Sequence, residues 1–300
     1  MSPSPARRVR LVTSRALADL IPEDRTLPRA LRGLGLEAAP AVWDDPAVVW
    51  NDGATAIVRT PWDYFRREAE FRAWLDRLES QRVPVWNPAP ILRWSLDKGY
   101  LRELASKGVA MPATHWLDRG ESADLNGLMR RGGWERAVVK PRVGGGAIGA
   151  WTWPEPGRGP ATREEAAASQ ARLAGMLQGQ GALVQQFVPE VPRNGELSLI
   201  FFAGEYSHAV LKRARTGDWR VQTEYGGSVE PVDPPAAAHA AARHILSAAP
   251  GPLLYARVDG VMRGDEFLLL ELEILEPQLF LDVAPGAIGR FARAVTASVS

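Results

Sequence analysis

No cysteine occurs among the 300 residues, which excludes disulfides, thiolate metal sites and a cysteine nucleophile. The four histidines (His115, His208, His239 and His244) are dispersed and receive no role. No apolar run approaches the roughly 20 residues that a membrane span requires. Neither sign of charge dominates: 36 basic residues face 35 acidic ones, for a net charge of +1. Basic residues mostly sit beside acidic ones, as in Asp63 to Arg67, so there is neither the excess nor the stripe that binds a nucleic-acid backbone. The segment Met1 to Arg8 is polar and proline-bearing with no apolar stretch after it, unlike a signal peptide. A soluble, cytoplasmic protein is expected, with no nucleic-acid or membrane partner; assembly into a homo-oligomer stays open.

What is present is the material for two or three packed subdomains. In the first 90 or so residues, short apolar runs at Val9–Thr13, Leu36–Trp43, Thr55–Arg59 and Val83–Trp86 alternate with helical patterns at Leu27–Leu34 and Phe65–Leu78. This alternation predicts a parallel sheet with covered faces. A helix from Ser95 to Ser106, stopped by Gly108, opens a second unit. Its strands are expected at Thr114–Leu117, Ala137–Lys140 and Ala182–Val188, with a helix over Arg163–Leu177 and a loop over Trp151–Pro160. A third unit reads as two hairpins, Leu197–Leu211 and Leu253–Leu275, separated by a helix over Ala236–Ala248 and closed by another over Ile288–Val299. The fold class is therefore α/β plus α+β: an N-terminal α/β unit (1–93), then two α+β units (94–190 and 191–300).

The sharpest chemical signal lies in the last hairpin. Glu271 and Glu273 are two apart in an apolar strand and so share a face. A tight turn near Gly264 brings Asp259 opposite or diagonal to Glu271. Three carboxylates converging in apolar surroundings repel one another unless a cation is present, and hard oxygen donors favour Mg²⁺ or Mn²⁺. The alternative for the glutamate pair is the solvated face of an edge strand. Lys140 ends a strand and precedes a glycine run that includes Gly145 and Gly146. A point charge beside closely approaching backbone N–H groups suits a triphosphate, although a glycine run alone is equally a surface loop. Gln185-Gln186-Phe187-Val188 forms an apolar strand ending in a turn, with Glu190 and Glu196 close behind.

These signals, in this order, resemble the ATP-grasp superfamily and its glutathione-synthetase-like branch, over roughly residues 95 to 285. The resemblance implies that ATP binds between two units, with Lys98 and Lys140 on its phosphates beneath the glycine-rich flap. It implies that Gln185 to Val188 form the adenine hinge, with Gln186 and Val188 offering backbone groups. Glu196 would bind the ribose, with Glu190 the weaker choice. Lys212, next to Arg213, and Arg220 would act on the transferred phosphoryl group, and Asp259, Glu271 and Glu273 would hold Mg²⁺. Within the superfamily, Arg59-Thr60-Pro61-Trp62-Asp63-Tyr64 and Glu271 to Pro277 resemble small ligases whose best-known activity is cycloserine synthetase, which closes O-ureido-serine into a ring.

The reaction so implied is phosphorylation of a carboxylate by ATP and capture of the acyl phosphate by nitrogen, on a small amino-acid-like substrate. Arg59 would pair the substrate carboxylate and Asp63 its ammonium group, with Trp62 and Tyr64 beside them. Equally, Trp62 would cap a core and Asp63 a helix. Asn87 and Arg93 are further pocket residues. A two-substrate amino-acid or dipeptide ligase would share every nucleotide-site residue. A non-catalytic nucleotide-binding regulator is the third reading, disfavoured by the complete set of lysines and carboxylates.

Overall fold

The computed structural model describes residues 7–155 and 161–299; most of Met1–Arg8 and the end of the Trp151–Pro160 stretch lie outside them. The first unit comprises β1 (Arg7–Thr13), α1 (Leu27–Arg32), β2 (Leu36–Val42), β3 (Thr55–Thr60), α2 (Glu68–Ser80) and β4 (Val85–Trp86). Its four strands are parallel in the order β2-β1-β3-β4. Every residue of β3 is buried, as expected where a parallel sheet is covered on both faces. Helix α2 buries Phe71, Trp74, Leu75 and Leu78, a helical stripe, against Trp43 and Trp50. Those rings meet edge to face, with Trp50 and Trp74 centroids 5.3 Å apart. Several of the chain's many tryptophans are thus core-forming.

The second stretch holds α3 (Ala89–Ser95), α4 (Tyr100–Ser106), β5 (Thr114–Leu117), α5 (Leu125–Gly132), β6 (Ala137–Pro141), β7 (Trp151–Trp153), α6 (Arg163–Gly179) and β8 (Ala182–Gln186). Its sheet is antiparallel, β5-β8-β6-β7. Two expectations are corrected here. The single helix over Ser95–Ser106 is two helices, because the backbone at 96–99 turns out of the helical ladder. Lys98 gives its N–H to the Arg142 carbonyl (2.9 Å), and Gly99 gives its own to the Asp97 carboxylate (2.7 Å). The stretch expected as a loop begins with β7, whose Trp151 and Trp153 are buried against β6. Three residues are too few for a period to show.

The third unit contains α7 (Glu190–Asn194), β9 (Glu196–Phe202), β10 (Glu205–Arg213), β11 (Ser228–Val232), α8 (Ala236–Ala248), β12 (Tyr255–Arg263), β13 (Glu266–Glu273) and α9 (Ala287–Ser298). The strands form an antiparallel sheet, β11-β10-β9-β12-β13. Its register decides the chemistry: Glu196 pairs with Lys212, Ser198 with Asp259, and Asp259 with Glu271. The register shifts after Asp259: Gly260 pairs with Leu269, and Leu270 of β13 is the extra residue of a bulge. A Cβ on Gly260 would lie 2.3 Å from the Phe267 ring and 2.5 Å from the Leu268 carbonyl, so only glycine fits beside the acid.

The first and third units share a core. Leu11, Leu27 and Ile57 pack with Ile200, Phe202 and Phe291 in one cluster. Inside it lies Arg59, fully buried, with Asp24 on its Nε (3.0 Å) and Nη2 (3.2 Å) and with Glu23 at 3.7 Å. Its guanidinium also sits 5.6 Å from the Tyr255 ring centroid and 5.4 Å from that of Phe291. Glu23 accepts the Leu279 N–H (2.9 Å), and Tyr255 donates to the Val58 carbonyl (2.6 Å). Arg59 therefore joins two units instead of lining a pocket.

Removing one partner of a buried ion pair strands the other. Arg59→Ala is accordingly expected to cost about 3–5 kcal/mol in urea unfolding, and a loss below about 1 kcal/mol would mean that the pair is merely decorative. Glu23 yields a pH prediction. Burial first, then the neighbouring Asp24, lift its carboxyl from 4.5 to about 7, against the opposing pull of Arg59. The folded state thus holds a proton that the unfolded chain releases, so this group's contribution to stability falls as pH rises from about 4.5 to about 7. Glu23→Gln should gain melting temperature relative to wild type across that window. A pH-independent difference between the two would contradict the assignment.

Candidate active site

One cavity of about 470 Å³ opens where the three units meet. Its lining includes Trp62 from the first unit, Lys98, Lys140, Gly145, Gly146 and Gln185 to Val188 from the second, and Glu196, Lys212, Arg220, Asp259, Glu271 and Glu273 from the third. Sequence reasoning about these residues thus converges on a single cleft. Arg59, Asp63, Tyr64, Asn87, Arg93, Glu190 and Arg213 do not line it. Asp63 accepts a hydrogen bond from Trp43 Nε1 (2.9 Å) and, although it stands at the N-cap of the one-turn helix Tyr64–Arg66, its side chain makes no capping bond there. Asn87 is fully buried and ties the Tyr255 and Ile274 carbonyls together. Arg93 pairs with Asp76 and Glu79, Glu190 with Arg263, and Arg213 with Glu230.

The apolar end of the cleft is framed by Val138, Phe187, Val191 and Leu270, a slot suited to a flat aromatic base. The Gln186 N–H is already bonded to the Ala113 carbonyl (2.8 Å). Val188 keeps a backbone N–H without an acceptor among the described residues. At this end of the cleft the Gln186 N–H is therefore engaged within the protein, and the Val188 N–H is the free backbone donor of the two among the described residues.

Next to the slot stand the lysines. Lys140 Nζ donates to Gln185 Oε1 (3.0 Å), and Gln185 is in turn anchored to Thr114 (3.0 Å). No carboxylate lies within ion-pair distance of Lys140 among the described residues, and burial draws its pKa below the ordinary lysine value. A buried ammonium without a counter-ion is a standing demand for an anion. Lys98 is better supplied, with Glu271 at 3.0 Å and the Gly144 carbonyl at 2.5 Å. Burial opposes its charge, but Glu271, with Glu273 and Glu276 behind it, raises the pKa on balance. Through Gly144 it also holds the root of the glycine-rich flap, whose Gly146 adopts φ +59°.

Across the third sheet the charges alternate. Glu196 is ion-paired with Lys212, Lys212 with Asp259 (3.2 Å), Asp259 with Arg257 (2.9 Å) and Arg257 with Glu273 (3.2 Å). Ser198 donates to Asp259 as well (2.6 Å). Burial alone would raise the Asp259 pKa, yet Arg257 and Lys212 hold it at about 2. Glu273 behaves oppositely: burial, with Glu271 and Asp259 nearby, lifts it to about 7 despite Arg257. The three carboxylates expected to form a metal centre therefore share the cleft without closing on one point. No group of three potential ligands surrounds a common centre among the described residues. The reason is competition, since Asp259 spends both oxygens on Arg257, Lys212 and Ser198 while Glu271 turns to Lys98.

Two charged residues of the cleft interior escaped the sequence reasoning. Arg257 was legible, because Arg257-Val258-Asp259 puts a cation and an acid on one strand face. Glu276 was not. It lies three residues past the end of β13, where strand parity no longer says which way a side chain points.

A clasp of three such units around lysines and acidic strands defines the ATP-grasp ligases, and the comparisons agree. The crystal structure of D-cycloserine synthetase DcsG superposes with a TM-score of 0.84 at 29% identity, covering 98% of this chain and 100% of that one. D-alanine–D-alanine ligase from Bacillus anthracis shares the fold alone, with a TM-score of 0.68 at 16% identity, covering 98% and 97%. The protein is an ATP-dependent ligase of this class. More particularly, it belongs to the DcsG family. It is 33% identical to the cycloserine biosynthesis protein DcsG of Streptomyces lavendulae over 92% of this chain and 94% of that protein. Residues 9–87 match the family described as D-cycloserine synthetase DcsG, N-terminal domain.

If Lys140 meets the transferred phosphates, Lys140→Ala should lower ATP-dependent turnover by about 10²–10³-fold with circular dichroism unchanged. Glu271→Gln should act similarly. Turnover within about threefold of wild type for either variant would remove that residue from the phosphate site.

Proposed function

We propose that the protein activates the carboxylate of a small amino-acid-like substrate as an acyl phosphate and closes it into a ring with the substrate's own nitrogen, O-ureido-serine being the substrate and cycloserine the ring. The observation that carries this reading is the pairing of a full-length likeness to DcsG with a cleft whose phosphate end holds an uncompensated cation, Lys140. We further propose that units 1–93, 94–190 and 191–300 supply the substrate side, the flap and the acidic strands.

In the first step a substrate carboxylate oxygen attacks the γ-phosphorus and ADP departs. In the second, the ureido nitrogen bonded to oxygen attacks the acyl carbon, inorganic phosphate leaves and the nitrogen sheds a proton, giving a ring that still carries the carbamoyl group. Water then hydrolyses that group to carbon dioxide and ammonia, leaving cycloserine. Phosphoryl transfer needs alignment and neutralisation of charge more than covalent help. Lys98, Lys140 and Lys212 meet phosphate oxygens, Arg257 and Arg220 face the transferring group, and Glu196 holds the ribose. Arg220 is pre-aimed: Asp218 grips it at 2.8 and 3.0 Å, and the Tyr225 ring centroid lies 3.7 Å away.

The donor set suits Mg²⁺. Glu271 and Glu273 present hard oxygens from one strand face with Asp259 opposite, and burial together with Glu271 and Asp259 raises the Glu273 pKa despite its partner Arg257. Bound there, a divalent cation would neutralise the phosphate oxygens and polarise the γ-phosphoryl group. Flap residues Arg142 to Gly149 exclude water, which would otherwise hydrolyse the acyl phosphate.

The test is ADP release from Mg-ATP with O-ureido-serine alone and with pairs of amino acids, with mass detection of product. Release with the single substrate and a cyclic product is expected. Release only with a pair would replace ring closure by intermolecular amide formation.

A further inference from the structure

The acids that line the cleft are nearly all matched by cations of the protein. Glu196 has Lys212, Asp259 has Arg257 and Lys212, Glu271 has Lys98 and Glu273 has Arg257. Glu276 is the exception within the cleft interior: no basic side chain lies within ion-pair distance of its carboxylate among the described residues. It sits on the side of the cavity formed by the first unit. Trp62 Nε1 donates to its backbone carbonyl (3.0 Å), the Tyr64 hydroxyl lies against its carboxylate, and Phe65 lines the cavity beside it. The flap closes the other side, because a Cβ on Gly145 would stand 3.8 Å from Glu276 Oε1. Burial, then Glu273 and Glu271, drive its pKa well above the ordinary carboxylate value. Among the described residues, the cleft interior therefore leaves two ionisable groups of opposite kind without an ion partner. Lys140 stands by the base slot, and Glu276 stands against the first unit and the flap.

We propose that Glu276 is the recognition residue for the cationic amine of the substrate. This rests on the ligase reading above and deepens it by assigning the ammonium group a partner. A carboxylate already enclosed by Trp62, Tyr64, Phe65 and the flap sheds little water when an ammonium arrives, so the pair forms without a second desolvation cost. The same charge disfavours a substrate with a second carboxylate at that position. Specificity then comes from a position outside the strand that carries the acidic pair.

The test uses the intact protein with Mg²⁺ and a non-hydrolysable ATP analogue, titrated calorimetrically with O-ureido-serine and with its deaminated counterpart, 3-(ureidooxy)propanoate. Wild type should bind the amine-bearing compound about tenfold or more tightly. Glu276→Gln, which keeps the shape and the contact with Tyr64, should bring the two affinities within about twofold while leaving affinity for the nucleotide analogue unchanged. Persistence of the amine preference in Glu276→Gln overturns the proposal, as does its absence in wild type. Loss of nucleotide affinity in the variant also overturns it, placing Glu276 with the metal instead. Failure of the ring-closing reading shows separately, as absence of a cyclic product from an enzyme that still prefers the amine.

Discussion

A charge taken out of water must find a partner, and the cleft is organised by that requirement. Burying an unpaired ion costs several kcal/mol, which no protein of ordinary stability sustains several times over. The register of the third sheet supplies many of the partners: with Glu196 opposite Lys212 and Arg257 opposite Glu273, strand pairing itself brings opposite signs together. Shifting that register by one residue would turn the whole set to the other face. Gly260 lets the strands close beside Asp259, since a Cβ there would meet the Phe267 ring and the Leu268 carbonyl. What the sheet leaves unpaired then identifies what is missing. Lys140 wants an anion and Glu276 a cation, and under the proposed function a nucleotide and the substrate's ammonium group supply them.

The same requirement explains why the first unit is needed, although no lysine of the nucleotide site belongs to it. Arg59, Asp24 and Glu23 form a buried ionic knot against Tyr255 and Leu279 of the third unit. Asn87 adds hydrogen bonds to Tyr255 and Ile274, and Trp62 adds one to Glu276. Both flanks of the acidic strand pair are thereby tied to the first sheet. Such a polar joint is not the cheapest way to hold two units together, since apolar packing of equal volume often does as well. It does fix one relative geometry, because a guanidinium fork matches its carboxylate in few orientations.

The legibility of the sequence follows from where period and parity apply. The long helices α6 and α8 and both hairpins of the third unit could be read because their patterns run for many residues. Glu271, Glu273 and Asp259 could be placed together because alternation and one tight turn suffice. Arg59 was misplaced for an instructive reason. It ends a parallel strand, where ligands commonly bind, and nothing local reveals that Asp24, 35 residues earlier, reaches it first. Strand β7 and α7 were missed for brevity, and Glu276 because it follows the end of regular structure. The break before α4 was hidden because its cause, Arg142, lies far along the chain. Sequence pattern therefore carries local geometry well and long-range ion pairing poorly.

Lys98 shows how the parts are coupled. Its single ammonium group touches both the Gly144 carbonyl of the flap and the Glu271 carboxylate of β13. Any cation that takes Glu271 as a ligand therefore competes directly with Lys98 for that oxygen. Any phosphate that draws Lys98 away competes with the flap carbonyl. Under the proposed function both competitions arise together when a metal-bound nucleotide enters, which couples flap position to occupancy of the acidic pair. For a reaction whose intermediate is destroyed by water, that linkage has a clear use: the contact that anchors the flap root is re-sorted by the ligand whose chemistry needs the flap closed.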